Sequence, residues 1–399
     1  MSNSLPLNFS VSVKQILNAR WEIYKSKHKI REIEQKEVEK ALNCYGYDNG
    51  CFVYSCKTCG AWIFQSLGCN GRICSNCGKR YTDQWAKSLS KRMFNIPHRH
   101  LVLSVPSILW PYLKQDRNLW KVYMDSAIDS CNDYFPKLMR KHKAQVGIIV
   151  ILHPFGKDMK FQPHLHLIIT EGAFGRAGRF IKQEFIPARN FARVWQYHVS
   201  KNLQSAGMPG EIFTYTFKKY DGFYVWVHKT GRIKNPKHIA KYLGRYVRHP
   251  AIANSRLTSF DGFNVSFFYQ EHKETELIRH DKIMHVDEFI SALIQHIPEP
   301  QFKMIRYYGA YARRTKKVFK AYLQSSIIQM TLLSFGFRKE IKCPYCGGKT
   351  ELVWYCKKPP PPELKSQKEL SDWISCNSIK FVKNSSKRAN FLLSCGKNI

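Results

Sequence analysis

The chain has 399 residues, 44% of them hydrophobic and 14% aromatic, with 64 Lys and Arg against 29 Asp and Glu for a net charge of +35. That length predicts two or three units, each with enough apolar material for a real core. The charge points to a polyanionic partner, nucleic acid before a membrane surface. No apolar run reaches the ~20 residues that span a bilayer, and MSNSLPLNFSVSVKQ lacks the basic-then-apolar pattern of a signal peptide. The thirteen cysteines are therefore expected in a reducing, cytoplasmic setting, where close cysteines bind metal more often than they form disulfides.

In chain order, residues 13–43 predict one amphipathic packing helix. Residues 44–96 change character. Cys44, Cys51, Cys56, Cys59, Cys69, Cys74 and Cys77 crowd into its first part, and Cys56-Lys57-Thr58-Cys59 and Cys74-Ser75-Asn76-Cys77 are two knuckles fourteen residues apart. Each is followed by a glycine, Gly60 and Gly78. The spacing predicts one tetrahedral four-thiolate Zn2+ site of Cys56, Cys59, Cys74 and Cys77, with Cys69 as the alternative ligand and Cys44 and Cys51 as ordinary thiols. So small a unit would fold largely on metal binding. A helix over 81–96 leaves this ribbon and stops at Pro97.

Residues 97–335 open with a strand, His100 to Pro106, and a helix from about Arg117 to His142. Two strands follow, one ending at Leu152-His153 and the other FQPHLHLIIT, Phe161 to Thr170. Alternation in a strand puts His164 and His166 on one face, two imidazoles of a metal site. A helix from about Pro187 to Gln204 comes next. Ile212 to Phe217 and Phe223 to His228 then read as a hairpin. The order predicts an α+β fold, an antiparallel sheet with helices packed on one face, preceded by a small zinc ribbon. NPKHIAKYLGRYVRHPAIANSRL (235–257) predicts a helix opened by Asn235-Pro236 and closed by Pro250. Tyr242 and Tyr246 lie four apart on one face of it. Lys241, Arg245, Arg248 and Arg256 surround them and suit phosphate contacts. A tyrosine hydroxyl among such cations can attack phosphorus and form a covalent ester. A strand at Phe263 to Gln270 and a helix at Asp287 to Ile297 continue this domain. In the tail, 336–399, Cys343-Pro344-Tyr345-Cys346 begins a second knuckle. Its partners on sequence order are Cys356, Cys376 or Cys395.

His-hydrophobe-His on a strand followed by Tyr-x3-Tyr on a helix resembles the HUH endonucleases. The cysteine ribbon, HLVLSVP, LHPFG before PHLHLIIT, KYLGRYVRHPAIANSRL and RYYGAYA (Arg306 to Ala312) together resemble rolling-circle transposases of the insertion-sequence-91 type, over roughly residues 40–350. Ser75 departs from that pattern, where a proline often follows the knuckle cysteine. The resemblance implies a nickase and ligase of single-stranded DNA acting on transposon ends and target DNA in the nucleoid. His164 and His166 would be metal ligands, and Tyr242 and Tyr246 the nucleophiles. Mg2+ or Mn2+ would polarise the phosphate. The third ligand is expected first at His153, then at Gln162 or Asp158. Two other readings stay open at this point. One is a plasmid replication initiator or relaxase of the same chemistry, although no GxxxxGK[ST] helicase loop is present. The other is a zinc-ribbon DNA-binding protein without catalysis.

Overall fold

The computed structural model describes residues 11–46, 49–139, 144–175, 179–183, 186–227, 251–273, 276–312, 314–315 and 341–356, with short pieces at 369, 372–373, 378–381 and 391–392. Two helices come first, α1 (Val13–Lys27) and α2 (Glu32–Leu42). The hairpin β1 (Cys51–Cys56) and β2 (Trp62–Ser66) leads into α3 (Ser75–Arg92), β3 (His98–Ser104), α4 (Trp110–Gln115) and α5 (Leu119–Leu138). Then come β4 (Gly147–Phe155), β5 (Phe161–Thr170), β6 (Gly172–Phe174), β7 (Phe180–Lys182), α6 (Ala188–Ser205), α7 (Gly210–Lys219) and β8 (Val225–Val227). After residue 250 the chain forms β9 (Leu257–Phe260), β10 (Asn264–Lys273), β11 (Glu276–His285), α8 (Val286–Gln295), β12 (Ile305–Gly309), β13 (Thr350–Cys356), β14 (Ser378–Phe381) and β15 (Phe391–Leu392). The fold is α+β, and all the sheet pairings among these strands are antiparallel.

The central sheet has the order β12-β4-β5-β3-β8. β4 and β5 are apolar at nearly every position, the pattern of strands buried on both sides. Leu101, Leu103, Ile148, Val150, Leu152, Leu165, Leu167 and Ile169 pack on one face under α5 and α6, against Trp120, Tyr123, Phe191 and Trp195. Each such buried side chain contributes roughly 1.5–3 kcal/mol. On the other face Ile149, Ile151 and Ile168 pack under Trp85, Ala86 and Leu89 of α3. Helices therefore cover both faces, and the expectation of a single covered face is corrected. The second cover is supplied by the helix that leaves the cysteine region.

A second core joins α1, α2 and α8 to β9, β10 and the residues around them. Trp21, Val38, Val265, Phe267, Phe289 and Leu293 are buried in it. The single helix expected over 13–43 is instead two helices. His28 takes an extended conformation (φ −126°, ψ 143°) and caps α1 through its N–H to the Tyr24 carbonyl. Arg31 then bonds Glu34 and the Ile297 carbonyl, at 2.9 Å for the latter, and pairs with Glu299. The hairpin expected at 212–228 is also corrected, because residues 210–219 are α7. Phe213 and Thr216, three apart, are its buried positions, so the helical period overrides the β-branched and aromatic composition.

RYYGAYA closes the central sheet. Arg306 to Gly309 run along the edge of β4, with Tyr307 opposite Ile149 and Gly309 opposite Gly147. Tyr311 accepts the Phe94 N–H at 3.0 Å and its hydroxyl lies 2.6 Å from Nε2 of His98, so it ties the end of α3 to the start of β3. Gly309 has φ +55°, and a Cβ there would strike the Val146 carbonyl oxygen. Gly309→Ala is expected to destabilise the protein by about 2–5 kcal/mol, from the left-handed backbone and the collision together. Urea unfolding followed by circular dichroism measures this. A loss under about 0.5 kcal/mol, the size of an ordinary surface change, contradicts the account.

Candidate functional site

Two sets of four cysteines converge, and they do not divide as the knuckle spacing predicts. Cys44, Cys69, Cys74 and Cys77 form one group and Cys56, Cys59, Cys343 and Cys346 the other, the Sγ atoms of each group lying within 4.8 Å of one another. The expected single site of Cys56, Cys59, Cys74 and Cys77 is thus corrected. The reason lies in the local backbone. Cys74 is the N-cap of α3 and Cys77 sits in its first turn, so this pair points into the helix start, where the positive end of the dipole favours thiolates. The loop before it supplies Cys69, and the end of α2 supplies Cys44, whose Sγ lies 3.5 Å from those of Cys74 and Cys77. The Cys69 N–H reaches Cys44 Sγ at 3.4 Å, and the Gly71 N–H reaches Cys69 Sγ at 3.2 Å. Cys56-Lys57-Thr58-Cys59 instead forms the β1–β2 turn. Main-chain N–H groups of Cys59 and then Thr58 pull the Cys56 thiol down to about 6, against some burial.

The partners expected for the C-terminal knuckle are also corrected. Cys356 lies at the far end of β13, opposite Cys51, and is buried in a small cluster with Cys51 and Val53. Cys376 and Cys395 lie outside the described residues. β13 pairs along β1, so 341–356 belong to the same sheet as the N-terminal hairpin.

The imidazoles lie on the central strands. His153 of β4 stands directly opposite His164 of β5, and His166 follows two residues on along the same face. One nitrogen from each of the three falls within the same 4.8 Å. His153 Nδ1 and His164 Nε2 are 3.0 Å apart. His164 Nδ1 donates to the Gln162 carbonyl at 2.7 Å, which leaves the Nε2 lone pair facing His153. His166 Nδ1 is 2.9 Å from Nε2 of His100 on β3. All three ligand candidates have lowered pKa values, each chiefly through burial. The charges of His164, His296 and Arg72 add to this at His153, and those of His164, His153 and His100 at His166. Neutral imidazoles in such a group are metal-ready donors. Nitrogen donors suit Mn2+ and its neighbours better than Mg2+, which prefers oxygen.

Among the other candidates, Gln162 contributes its carbonyl, and its side chain is exposed on β5. Asp158 sits in the β4–β5 turn and accepts the Lys160 N–H at 3.1 Å, apart from the histidine group. Arg256 donates to the carbonyls of Phe268 at 2.8 Å and Lys157 at 2.7 Å, binding β10 to that turn. Tyr242, Tyr246, Lys241, Arg245 and Arg248 lie outside the described residues. The chain enters their segment from β8, whose Trp226 stands opposite Val102, itself opposite His166. The Trp226 ring lies edge-on to His100 at 5.9 Å. Sequence reasoning missed His100, because HLVLSVP read as an ordinary strand and only the register with β5 puts it beside His166. On the α3 side a cleft of about 530 Å³ is lined by Arg72, Tyr81, Arg92, Lys303 and Tyr307, with Glu37 and Glu299. No helix among the described residues is long and apolar enough to cross a membrane.

The family model described as "Putative transposase" matches residues 147–318, from the start of β4 past RYYGAYA. That of the "Transposase zinc-binding domain" matches residues 16–105, which take in the first cysteine group whole and half of the second. The chain is similar to the transposase for insertion sequence element IS801 of Pseudomonas savastanoi pv. phaseolicola, 29% identical over 300 residues covering 71% of this chain and 72% of that protein. A solved structure, the non-structural protein 1 N-terminal origin-recognition/nickase domain of human bocavirus, is 12% identical with a TM-score of 0.28, covering 52% of this chain and 99% of that one. That score carries no weight for fold or function. The zinc-binding domain and the cysteine geometry support Zn2+ as a ligand of this protein. Cys44→Ser is accordingly expected to remove one equivalent of bound zinc, measured by native mass spectrometry. Undiminished zinc would mean that Cys44 is the ordinary thiol its isolation in sequence suggests.

Proposed function

Because the chain belongs to the insertion-sequence-91 type of transposases, with an N-terminal zinc-binding domain, we propose that it nicks and rejoins single-stranded DNA through 5′-phosphotyrosine at the histidine site. The observation that carries this reading is the convergence of His153, His164 and His166 on one face of the central sheet. It is supported by β8, which leads from that face into the segment holding Tyr242 and Tyr246.

The three imidazoles would hold a divalent ion of the Mg2+ or Mn2+ class, which when bound supplies polarisation of the scissile phosphoryl oxygen. The remaining work belongs to the chain. The oxygen of Tyr242 or Tyr246 attacks phosphorus, a P–O bond to tyrosine forms and the bond to the 3′ oxygen breaks. The phenol gives up a proton and the leaving 3′ hydroxyl gains one, so the step is balanced. The ester keeps the bond's energy, and rejoining needs no nucleotide cofactor. Arg245 and Arg248 would favour the phenolate, with Tyr246 the first nucleophile and Tyr242 acting on the second strand. The cleft beside α3 offers half-buried aromatic rings and cations, the chemistry that stacks bases and holds phosphates of a single strand. DNA affinity would rest on the surplus Lys and Arg.

A labelled single-stranded oligonucleotide from the element's end, incubated with Mn2+, is expected to give a covalent protein–DNA adduct on a denaturing gel. Tyr242→Phe with Tyr246→Phe should abolish it, and so should His164→Ala, while oligonucleotide affinity stays within a few-fold. An adduct that survives the double tyrosine change overturns the assignment.

His100 is expected to act as a positioning residue through His166 Nδ1. His100→Phe should weaken Mn2+ binding by roughly 10–100-fold with little change in the unfolding midpoint. His100→Gln, which keeps a polar group near Nδ1, should recover part of the affinity. Manganese titration followed by electron paramagnetic resonance decides this, and equal affinity in His100→Phe and wild type removes the role.

A further inference from the structure

We propose that Cys56, Cys59, Cys343 and Cys346 hold a second structural zinc ion, and that this ion fastens residues 341–356 to the N-terminal hairpin. Cys343 and Cys346 lie outside the matched zinc-binding domain, which ends at residue 105. The proposal stands apart from the nicking chemistry and does not depend on it.

The distances suit one tetrahedral ion. Cys56 Sγ lies 3.5 Å from Cys346 Sγ, and Cys59 Sγ lies 3.7 Å from Cys343 Sγ. Four thiolates at about 2.3 Å from a central zinc stand about 3.8 Å apart. These separations are far longer than a disulfide bond, and four sulfurs this close leave room for one ion rather than a cluster.

The two knuckles also repeat each other's backbone. Gly60 has φ +71° and its N–H bonds the Cys56 carbonyl at 3.0 Å. Gly347 also has φ +71°, and its N–H bonds the Cys343 carbonyl at 2.9 Å. Each is a Cys-x2-Cys-Gly turn whose glycine supplies the left-handed residue. Gly348 lets the knuckles approach, since a Cβ there would strike the Thr58 hydroxyl. The Lys57 N–H bonds the Lys349 carbonyl at 3.2 Å, and Lys57 pairs with Glu351 at 3.0 Å. The apolar clusters beneath are small: Cys51, Val53 and Cys356 on one side, Phe52, Tyr54 and Leu67 on the other. Such a sheet gains its folding free energy from metal more than from burial.

The test counts metal in the full-length protein by native mass spectrometry. Wild type should carry two zinc ions, and Cys56→Ser with Cys343→Ser should lose only one. Cys44→Ser with Cys343→Ser should lose both. Loss of both ions from the Cys56/Cys343 pair of changes, or a single zinc in wild type, overturns the proposal. Because serine variants can misfold, wild type is also treated with iodoacetamide during a chelator titration. Cys56, Cys59, Cys343 and Cys346 should lose protection together, at a chelator concentration distinct from that of the Cys44 group. Cys343 and Cys346 reacting before any chelator is added, with Cys56 and Cys59 still shielded, also overturns it.

Discussion

The register between β4 and β5 is the constraint on which the histidine site depends. His153 faces His164 because those two positions are paired across the strands. A slip of one residue would turn every side chain of one strand to the other face. His164 and His166 would then enter the layer under α5 and α6, and Leu165 and Leu167 would take their places. Two apolar layers prevent it. Ile148, Val150 and Leu152 are buried on one side, Ile149 and Ile151 on the other. The imidazoles stand where the second layer gives way, so the packing that fixes the strands also aims the three side chains toward one another.

α3 links this constraint to the cysteine chemistry. Its first turn carries Cys77 and its N-cap is Cys74, while Trp85, Ala86 and Leu89 further along seal the histidine face of the central sheet. One rigid helix thus has a thiolate group at one end and the wall of a 530 Å³ cleft along its side. The first cysteine group and the central sheet share one structural member, α3.

Much of this was legible in the sequence. The helical period placed α5, α6 and α8 within a few residues, while β4 and β5 were legible as short β-branched and apolar runs bounded by turn residues. The face shared by His164 and His166 followed from alternation alone. Grouping the cysteines failed because spacing measures distance along the chain. The nearest knuckle to Cys56 in sequence is Cys74 to Cys77, but the one beside it in space is Cys343 to Cys346. A glycine follows Cys59, Cys77 and Cys346 alike, so it did not separate the knuckles. Only in the fold do Gly60 and Gly347 take the left-handed turn while Gly78 continues α3. α7 was misread because IFTYTF has strand composition, and only the burial of Phe213 and Thr216 reveals its period. His100 needed a register that no single strand contains.

The sheet order β13-β1-β2 has a consequence for synthesis. Cys59 and Cys343 are 284 positions apart, and at about 5–20 residues per second a ribosome needs roughly 15 s to a minute to make that stretch. Throughout that interval β1 is an edge, with bare N–H and C=O groups and with Phe52 and Tyr54 uncovered. Such an edge readily recruits neighbouring strands. The N-terminal hairpin therefore waits for the last part of its own chain. A nascent polypeptide stalled before Cys343 would leave the ribosome with this edge still open to aggregation and to chaperones.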